Sequence, residues 1–200
     1  METRPKYRSI IFFGMPGSGK GTQGAVLGQL PDYMHISMGD IFRRIPRTGK
    51  FGREIESYTS QGRMVPDDLT VRIFERNLAV LEMQELLMAD RDTLLLDGLP
   101  RSYAQAQRLD PLIDVVQIFH LKIEDKAKAI DRLRARALRE NRLDDMSEDV
   151  IRRRLDTYYD ETFKTLSFYA KELVYDVDAG RCMIDVLCSI VDRLAVLKRI

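Results

Sequence analysis

The most informative stretch of this chain is Gly14-Met15-Pro16-Gly17-Ser18-Gly19-Lys20-Gly21-Thr22. It follows an apolar run at 10–13 and precedes a helical pattern with apolar residues at 26, 27 and 30. A buried strand, a glycine-rich turn and a helix N-terminus in this order form an anion site, because backbone N–H groups converge there and the helix dipole adds positive potential. The sequence therefore predicts a phosphate-binding loop whose Lys20 reaches the β- and γ-phosphates of a nucleotide.

The length and composition indicate one α/β domain with ample chain for a core. The 200 residues carry a formal net charge of +1, which argues against a nucleic-acid partner bound through bulk charge. The first eight residues lack a following apolar segment, and no apolar run approaches 18 residues, so we expect neither a signal peptide nor a membrane span. Cys182 and Cys188 are interpreted as reduced core thiols of a cytoplasmic protein rather than a metal pair. We also expect a monomer.

Strand and helix patterns alternate along the whole chain. The strands are short apolar runs without in–out alternation, which is typical of a parallel sheet covered on both faces. We predict strands at about 8–13, 33–36, 93–97, 115–120 and 173–177. We predict helices at about 19–30, 39–46, 50–61, 67–88, 102–110, 124–139, 147–171 and 182–198. The fold class is therefore α/β, with three layers around a five-stranded parallel sheet.

Charged residues follow the second and third predicted strands, where such sheets bind their ligands. Asp40 and Arg43 follow one strand, and Asp97 and Arg101 follow the other, on the same rim as the phosphate loop. A carboxylate in the position of Asp97 orients magnesium in phosphate-loop enzymes. The planar forks of Arg43 and Arg101 suit a phosphate or carboxylate, and we favour that role over surface ion pairs.

Arginines are concentrated in the last third of the chain. Arg132 and Arg136 are four residues apart and lie on one helical face, whereas Arg134 and Arg139 are interpreted as solvated. Several guanidinium groups stabilise a phosphoryl group in transit, because its charge spreads over the equatorial oxygens. We assign that role to Arg132, Arg136, Arg142 and Arg154.

These motifs, in this order, resemble the adenylate kinase family. Its loop Gly-x-Pro-Gly-x-Gly-Lys-Gly-Thr-Gln matches residues 14–23, including the Gly21 that stands where phosphate loops usually have Ser or Thr. Its Ser-x-Gly-Asp-x-x-Arg matches 37–43, its Gly-x-x-Val-Pro-Asp matches 62–67, and its Asp-Gly-x-Pro-Arg with a later Gln matches 97–101 and Gln105. Its arginine helix and Arg-x-Asp-Asp are similar to Arg132, Arg136 and residues 142–145. The resemblance covers the chain from about residue 8 to the end.

The resemblance implies reversible phosphoryl transfer from ATP to AMP, giving two ADP, with magnesium and without zinc. For ATP it implies the loop residues Gly17, Ser18, Gly19, Lys20, Gly21 and Thr22, together with Arg132 and Gly180. For AMP it implies Met38, Arg43, Met64, Val65, Gly98, Arg101 and Gln105, whose amide would pair with adenine. For catalysis it implies Lys20, Arg132, Arg136, Arg142, Arg154 and Asp97. No direct metal ligand is expected, and Asp97 and Asp40 would orient magnesium through water.

The resemblance also implies a single P-loop kinase domain over residues 1–200. It places a helical insertion that binds the nucleoside monophosphate at about 38–67 and a short lid at about 137–143. Only five residues separate Arg136 from Arg142, which is typical of the short-lid type. Most of any closing motion is then expected in the 38–67 insertion.

Two alternatives and one ambiguity stay open at this point. The family commonly has Thr at the position of Met38, so a kinase preferring UMP or CMP is possible, although Gln105 speaks against it. A nucleotide-binding regulator without turnover is a second alternative, against which Lys20, Asp97 and the arginines argue. Counting from Arg142 selects Arg153 instead of Arg154 as the residue that faces the phosphates.

Overall fold

A five-stranded parallel sheet lies at the centre of the structure, a computed structural model that describes residues 5–140 and 147–197. The strand order is β2-β3-β1-β4-β5, where the strands are Tyr7–Gly14 (β1), Tyr33–Ser37 (β2), Thr93–Asp97 (β3), Ile113–Lys122 (β4) and Val174–Asp178 (β5). All four neighbouring pairs are parallel. The predicted fold class is confirmed.

The helices of the described residues flank this sheet. They are Lys20–Leu27 (α1), Met38–Arg44 (α2), Lys50–Thr59 (α3), Asp67–Met83 (α4), Tyr103–Leu109 (α5), Lys126–Glu140 (α6), Glu148–Thr157 (α7) and Met183–Leu197 (α8). None of the helices in the described part of the chain is long and apolar enough to cross a membrane.

Two apolar cores form on the two faces of the sheet. Along β1, Ile10 and Phe12 pack with residues of α6, α7 and α8 on one face. The alternate residues Ile11 and Phe13 pack with α4 and α5 on the other face. Both sets are at most 2% exposed, which explains why the strand sequences are apolar on both sides. The result is a three-layer α/β arrangement.

The strand register places the predicted functional segments at one edge. Ser37 at the end of β2 is in register with Asp97 at the end of β3, and Asp97 is in register with Phe12 of β1. The glycine-rich loop therefore begins beside Asp97, although more than 80 residues separate them in sequence. Parallel strands thus bring the phosphate loop, the start of α2 and the segment after β3 onto one rim.

Helices α2 and α3 and the start of α4 extend from this rim. They share a small apolar cluster of Ile55, Val65 and Leu69, which Phe42 and Ile73 connect to the core that α4 and α5 form with the sheet. The predicted insertion at 38–67 covers this part of the chain, and its status as a separate moving unit stays a prediction. Of the predicted lid at 137–143, residues 141–143 lie outside the described ranges.

Two predicted helices are longer than the observed ones. The helix predicted at 67–88 ends at Met83, because Glu85 adopts a left-handed backbone conformation with φ of 58° and the chain turns there. The helix predicted at 147–171 ends at Thr157 and continues as a π turn, Tyr158–Thr162, and a 3-10 turn, Phe163–Phe168.

The interpretation of the cysteines as core thiols is wrong, since Cys182 and Cys188 are both exposed. The buried face of α8 consists of Val186, Ile190 and Leu194, which recur every four residues. Cys188 lies two residues from Val186 and therefore on the opposite side of the helix. Cys182 precedes the first residue of the helix.

Candidate active site

A cleft of about 1100 Å³ opens at the carboxyl edge of the sheet. Its wall includes much of the glycine-rich loop, the ends of β2 and β3, and side chains of α2, α3, α6 and α7. Basic side chains outnumber acidic ones along this wall: it contains Lys20, Arg43, Arg44, Arg47, Arg63, Arg101, Arg136 and Arg154 against Asp40, Glu56, Asp97 and Glu140. Because the whole chain is almost neutral, positive charge is concentrated in this cleft.

The glycine-rich loop joins β1 to α1 and is held close to α6. Gly17 has a φ of +86°, and a Cβ built on it would lie 2.5 Å from the Ala129 carbonyl oxygen. Only glycine fits this position, since both the backbone conformation and the close approach exclude a side chain. The first turn of α1 begins at Lys20, so its free N–H groups face the loop and can bind an anion.

The Lys20 ammonium group lies inside the loop, where Nζ donates to the carbonyl oxygens of Gly14 (2.7 Å) and Met15 (3.0 Å). Desolvation by burial lowers the pKa of Lys20 to about 8. The Asp97 carboxylate opposes this shift, whereas the guanidinium groups of Arg101, Arg136 and Arg154 lower the pKa further. The lysine is therefore close to several cations at once, as a site for a polyanion requires.

Asp97 ends β3 and lines the cleft beside the first turn of α1. A Cβ on Gly21 would lie 3.2 Å from Asp97 Oδ2, which is tighter than ordinary contact. A side chain at this position would therefore require the Asp97 carboxylate to shift by a few tenths of an ångström. The next residue, Thr22, lines the cleft one position later.

The two predicted acceptor arginines both line the cleft. Arg43 donates from Nη2 to Asp40 Oδ1 at 2.5 Å, one helical turn earlier in α2. Arg101 donates from Nε to the Gly98 carbonyl oxygen at 3.1 Å, within the turn after β3. Each guanidinium has five donors, and these two bonds fix the orientation of the planar forks. Asp40, which was predicted to orient magnesium, is thus a partner of Arg43.

Gln105 is 2% exposed and borders the cleft from α5. Its Oε1 accepts from the Arg101 backbone N–H at 2.7 Å, and its Nε2 donates to Asp67 Oδ1 at 2.7 Å. Both ends of the amide are therefore engaged with protein groups. Met64, Val65 and Gly98, the other residues predicted to contact the acceptor, also border the cleft.

Four predicted residues do not line the cleft. Met38 is 1% exposed and packs in the core with residues of β1, β3 and α4. The Ser18 hydroxyl is buried near Gly14 and has no hydrogen-bond partner within residues 5–140 and 147–197. Arg132 donates to the carbonyl oxygens of Ala179 (2.8 Å) and Arg181 (3.2 Å), on either side of Gly180. Arg132 and Gly180 are thus brought together after β5, away from the cleft wall.

The remaining predicted arginines differ in whether they line the cleft. Arg136 of α6 and Arg154 of α7 both line the cleft. Arg153, the alternative to Arg154, instead donates from Nη1 to the Gln61 carbonyl oxygen at 3.0 Å. This bond ties α7 to the segment that follows α3. Arg142 lies outside the described residues.

The sequence did not predict that several other residues belong to the cleft. His35, Arg44, Arg47 and Arg63 line the cleft, and Asp67 orients Gln105 from behind it. The density of arginines between positions 43 and 63 was a usable signal for the basic wall. No pattern in the sequence indicates that Asp67 meets Gln105, because 38 residues separate them.

The geometry defines a class of protein. These features together are typical of a phosphate-loop phosphotransferase. They are a parallel sheet with a glycine loop, a lysine at the helix start, an acid at the end of the neighbouring strand and a basic cleft. Within the described residues, no group of three or more His, Cys, Asp and Glu side chains is arranged to hold a metal ion directly.

Comparison with known proteins narrows this class. The family model for adenylate kinase matches residues 12–174. The chain is 37% identical to an adenylate kinase of Cyanothece sp. over 82% of each chain. It is 36% identical to an adenylate kinase of Thermobifida fusca, over 85% of this chain and 89% of that protein. It is 33% identical to an adenylate kinase of a Synechococcus species, over 92% of this chain and 98% of that protein.

The chain belongs to the adenylate kinase family, as its motifs predicted. It is therefore an enzyme of the nucleoside monophosphate kinase class, a phosphotransferase.

Proposed function

We propose that this protein transfers a phosphoryl group reversibly from ATP to AMP, giving two ADP. The observation that carries the proposal is the convergence of Lys20, Asp97, Arg101, Arg136 and Arg154 on one cleft. A lysine and several guanidinium groups around one space match the charge of a phosphoryl group between two nucleotides. A regulator without turnover has no need for this arrangement.

The donor nucleotide occupies the loop end of the cleft. The backbone N–H groups from Gly17 to Thr22 and the Lys20 ammonium bind its β- and γ-phosphates. Lys20 then exchanges its bonds with the Gly14 and Met15 carbonyl oxygens for phosphate oxygens. Arg132 contributes at the donor end by holding the loop around Gly180, to which its guanidinium is bonded on both sides.

The acceptor occupies the side of the cleft formed by α2, α5 and the turn after β3. Arg43 and Arg101 bind the α-phosphate of AMP through their planar guanidinium groups, which suit a phosphate. Met64, Val65, Gly98 and Gln105 surround the adenine. The burial of Met38 in the core supports AMP over UMP or CMP, because the departure from Thr at this position then does not reach the base.

The transfer step needs no strong general base, because positioning and charge neutralisation lower the barrier. Arg136 and Arg154 reach the cleft from α6 and α7 and stabilise the charge on the transferring group. Arg142 is proposed to join them. Closing the cleft excludes water, which would otherwise accept the phosphoryl group.

Magnesium fits this site through Asp97. The carboxylate lines the cleft beside the loop and supplies the oxygen donors that this ion prefers, directly or through its retained waters. Asp40 fits less well, since its Oδ1 is already bonded to Arg43. When bound, magnesium neutralises charge on the donor phosphates. A cytoplasmic location and a monomeric state stay predictions from the sequence.

A coupled assay for ADP formation tests the proposal. With ATP and magnesium, AMP should be turned over far faster than CMP or UMP, and chelating the magnesium should abolish turnover. Faster turnover of UMP or CMP would instead assign the protein to a pyrimidine nucleotide. No ADP from any of the three acceptors, with folding verified by circular dichroism, would contradict the assignment as a kinase.

A further inference from the structure

The amide of Gln105 is held between two protein groups of opposite hydrogen-bonding character. Its Oε1 accepts from the backbone N–H of Arg101, and its Nε2 donates to Oδ1 of Asp67, both at 2.7 Å. A backbone N–H only donates, and a carboxylate only accepts. Rotating the amide by half a turn would place a donor against a donor and an acceptor against an acceptor. The orientation of Gln105 is therefore fixed by its surroundings.

Asp67 is itself anchored at the meeting of two helices. It is the first residue of α4, and its other carboxylate oxygen accepts from Ser102 Oγ at 2.9 Å. Ser102 caps α5 by accepting from the backbone N–H of Gln105 at 3.0 Å. Asp67, Ser102 and Gln105 thus form a closed ring of hydrogen bonds. This ring fixes the orientation of the carboxylate, so that Oδ1 faces Gln105 Nε2 while Oδ2 is bonded to Ser102.

The held amide still has capacity for one further partner on each atom. Oε1 keeps a second lone pair and Nε2 keeps a second hydrogen, and Gln105 borders the cleft. Asp67 does not line the cleft, so it acts on a ligand only through Gln105. A nucleobase paired with this amide must offer a donor to Oε1 beside an acceptor for Nε2.

Adenine meets this requirement and its 6-oxo analogue does not. Adenine has an amino donor at position 6 beside a ring nitrogen acceptor, whereas a 6-oxopurine has an acceptor oxygen in place of the amino group. With the amide fixed, the 6-oxo oxygen would face Oε1, and two acceptors repel. Because a buried polar group without a partner is costly, such a mismatch lowers the affinity strongly.

We propose that Asp67 is a positioning residue that sets the polarity of the Gln105 amide and thereby selects 6-aminopurine over 6-oxopurine monophosphates. The proposal rests on the proposed function, in which Gln105 contacts the acceptor base. It adds a residue that touches no substrate and that determines specificity through the side chain in front of it.

The test compares AMP with inosine monophosphate as acceptors for the parent protein and for Asp67→Asn. Asparagine keeps the size but offers either a donor or an acceptor to Nε2, so one of the two constraints on the amide is lost. We expect kcat/KM for AMP to fall by about tenfold and the preference for AMP over inosine monophosphate to narrow by about tenfold. The KM for ATP should not change.

The matched control is Asp68→Asn, which removes a carboxylate from the same first turn of α4. Asp68 is exposed and pairs with Arg108, so the acceptor preference should stay within about twofold of the parent. Melting temperatures of all variants distinguish a loss of folding from a loss of the preference for AMP over inosine monophosphate. If Asp67→Asn does not fold, Asp67→Ser provides the same test, because it also removes the carboxylate.

The outcomes distinguish the inference from the function on which it rests. If the parent turns over AMP and Asp67→Asn keeps the parent's preference for AMP over inosine monophosphate, the inference is overturned and the proposed function stands. An equal loss for both acceptors also overturns it, since that result describes a structural role. If the parent shows no turnover, the proposed function is contradicted. Calorimetric affinities for AMP and inosine monophosphate then test the inference: the ratio of the two affinities should narrow by about tenfold in Asp67→Asn, and an unchanged ratio overturns it.

Discussion

The two ends of the cleft are built in different ways. The loop end consists of backbone groups whose positions follow from glycine conformations and a helix start, and its lysine contacts carbonyl oxygens only five and six residues away. The acceptor end consists of side chains bonded to one another across 35 and 38 residues of sequence, as in the ring of Asp67, Ser102 and Gln105. Local sequence therefore determines the first end, and tertiary contacts determine the second.

This difference predicts different consequences of mutation. A change in the loop removes charge from the transferring group and should reduce turnover, whichever acceptor is used. A change at the acceptor end should alter affinity or selectivity for the monophosphate and leave ATP binding intact. The following experiments separate these two behaviours.

The largest effect is expected for Lys20→Met, which removes the cation from the phosphate loop. Turnover should fall by at least about a hundredfold, because a preorganised charge on the transferring group is lost. The circular dichroism spectrum should not change, since methionine has a similar length. Turnover similar to that of the parent, in a folded variant, would show that the loop does not bind the donor phosphates.

The next effect is expected for Arg101→Lys at the acceptor end. Lysine keeps the charge but loses the planar fork, so the affinity for AMP should fall by about tenfold or more while that for ATP stays nearly constant. Calorimetric titration with each nucleotide measures both affinities. Arg108→Lys, in the helix that follows Arg101, is the control, since Arg108 pairs with Asp68 and does not line the cleft. Equal losses for the two nucleotides would remove Arg101 from the acceptor site.

A smaller effect, on stability, is expected for Met38→Thr. Because Met38 is 1% exposed in an apolar core, the free energy of unfolding should fall by about 2 kcal/mol, and the order AMP over CMP and UMP should not change. Met83→Thr is the control, since Met83 is 78% exposed and the change there should be within about 0.5 kcal/mol. An altered acceptor order in Met38→Thr would place residue 38 against the base.

The smallest effect is a proton taken up when ATP binds. The pKa of Lys20 is lowered to about 8 by burial, so near pH 8 about half of the free protein has a neutral lysine. The bound phosphates favour the charged form and raise this pKa, so binding should take up about half a proton at pH 8, more at pH 9 and almost none at pH 6.5. Phosphate groups, with a second pKa of about 6, are already ionised at pH 8.

Calorimetry in buffers of different ionisation enthalpy measures this proton. Lys20→Met, titrated to saturation, should take up none near pH 8. An uptake that persists in this variant would assign the proton to another group.

The fold and the loop end were predictable because their signals are local. The apolar strands at 8–13 and 93–97 and the glycine pattern at 14–22 specify backbone conformations directly, and the rule for parallel sheets then places the motifs on one rim.

The acceptor end was predictable only in part. The motifs named Arg43, Arg101 and Gln105, but not the bonds that hold them, because pairing across 38 residues depends on how α4 and α5 pack. The extents of the helices at 67–88 and 147–171 were wrong for a similar reason: a left-handed residue at 85 and a π turn at 158–162 leave no periodic signal. The burial of Met38 likewise depends on the core and not on its motif.

We propose that the acceptor end of the cleft moves while the sheet stays fixed. Beyond α2, whose Met38 is anchored in the core, the segment up to residue 67 packs mainly on the small cluster of Ile55, Val65 and Leu69. The close approach of Gly62 to Val150 and the bond from Arg153 to Gln61 connect it to α7. Segments with few buried apolar contacts open more readily than core strands. Bound nucleotides should therefore draw this segment onto the site.

Amide hydrogen exchange, with and without an inhibitor that joins two nucleotides, measures this most directly. We expect the inhibitor to slow exchange in 38–67 and to leave exchange in the core strand at 93–97 unchanged. Identical exchange in 38–67 with and without the inhibitor would show that this segment does not move, because the arginines would then already be assembled around an open site.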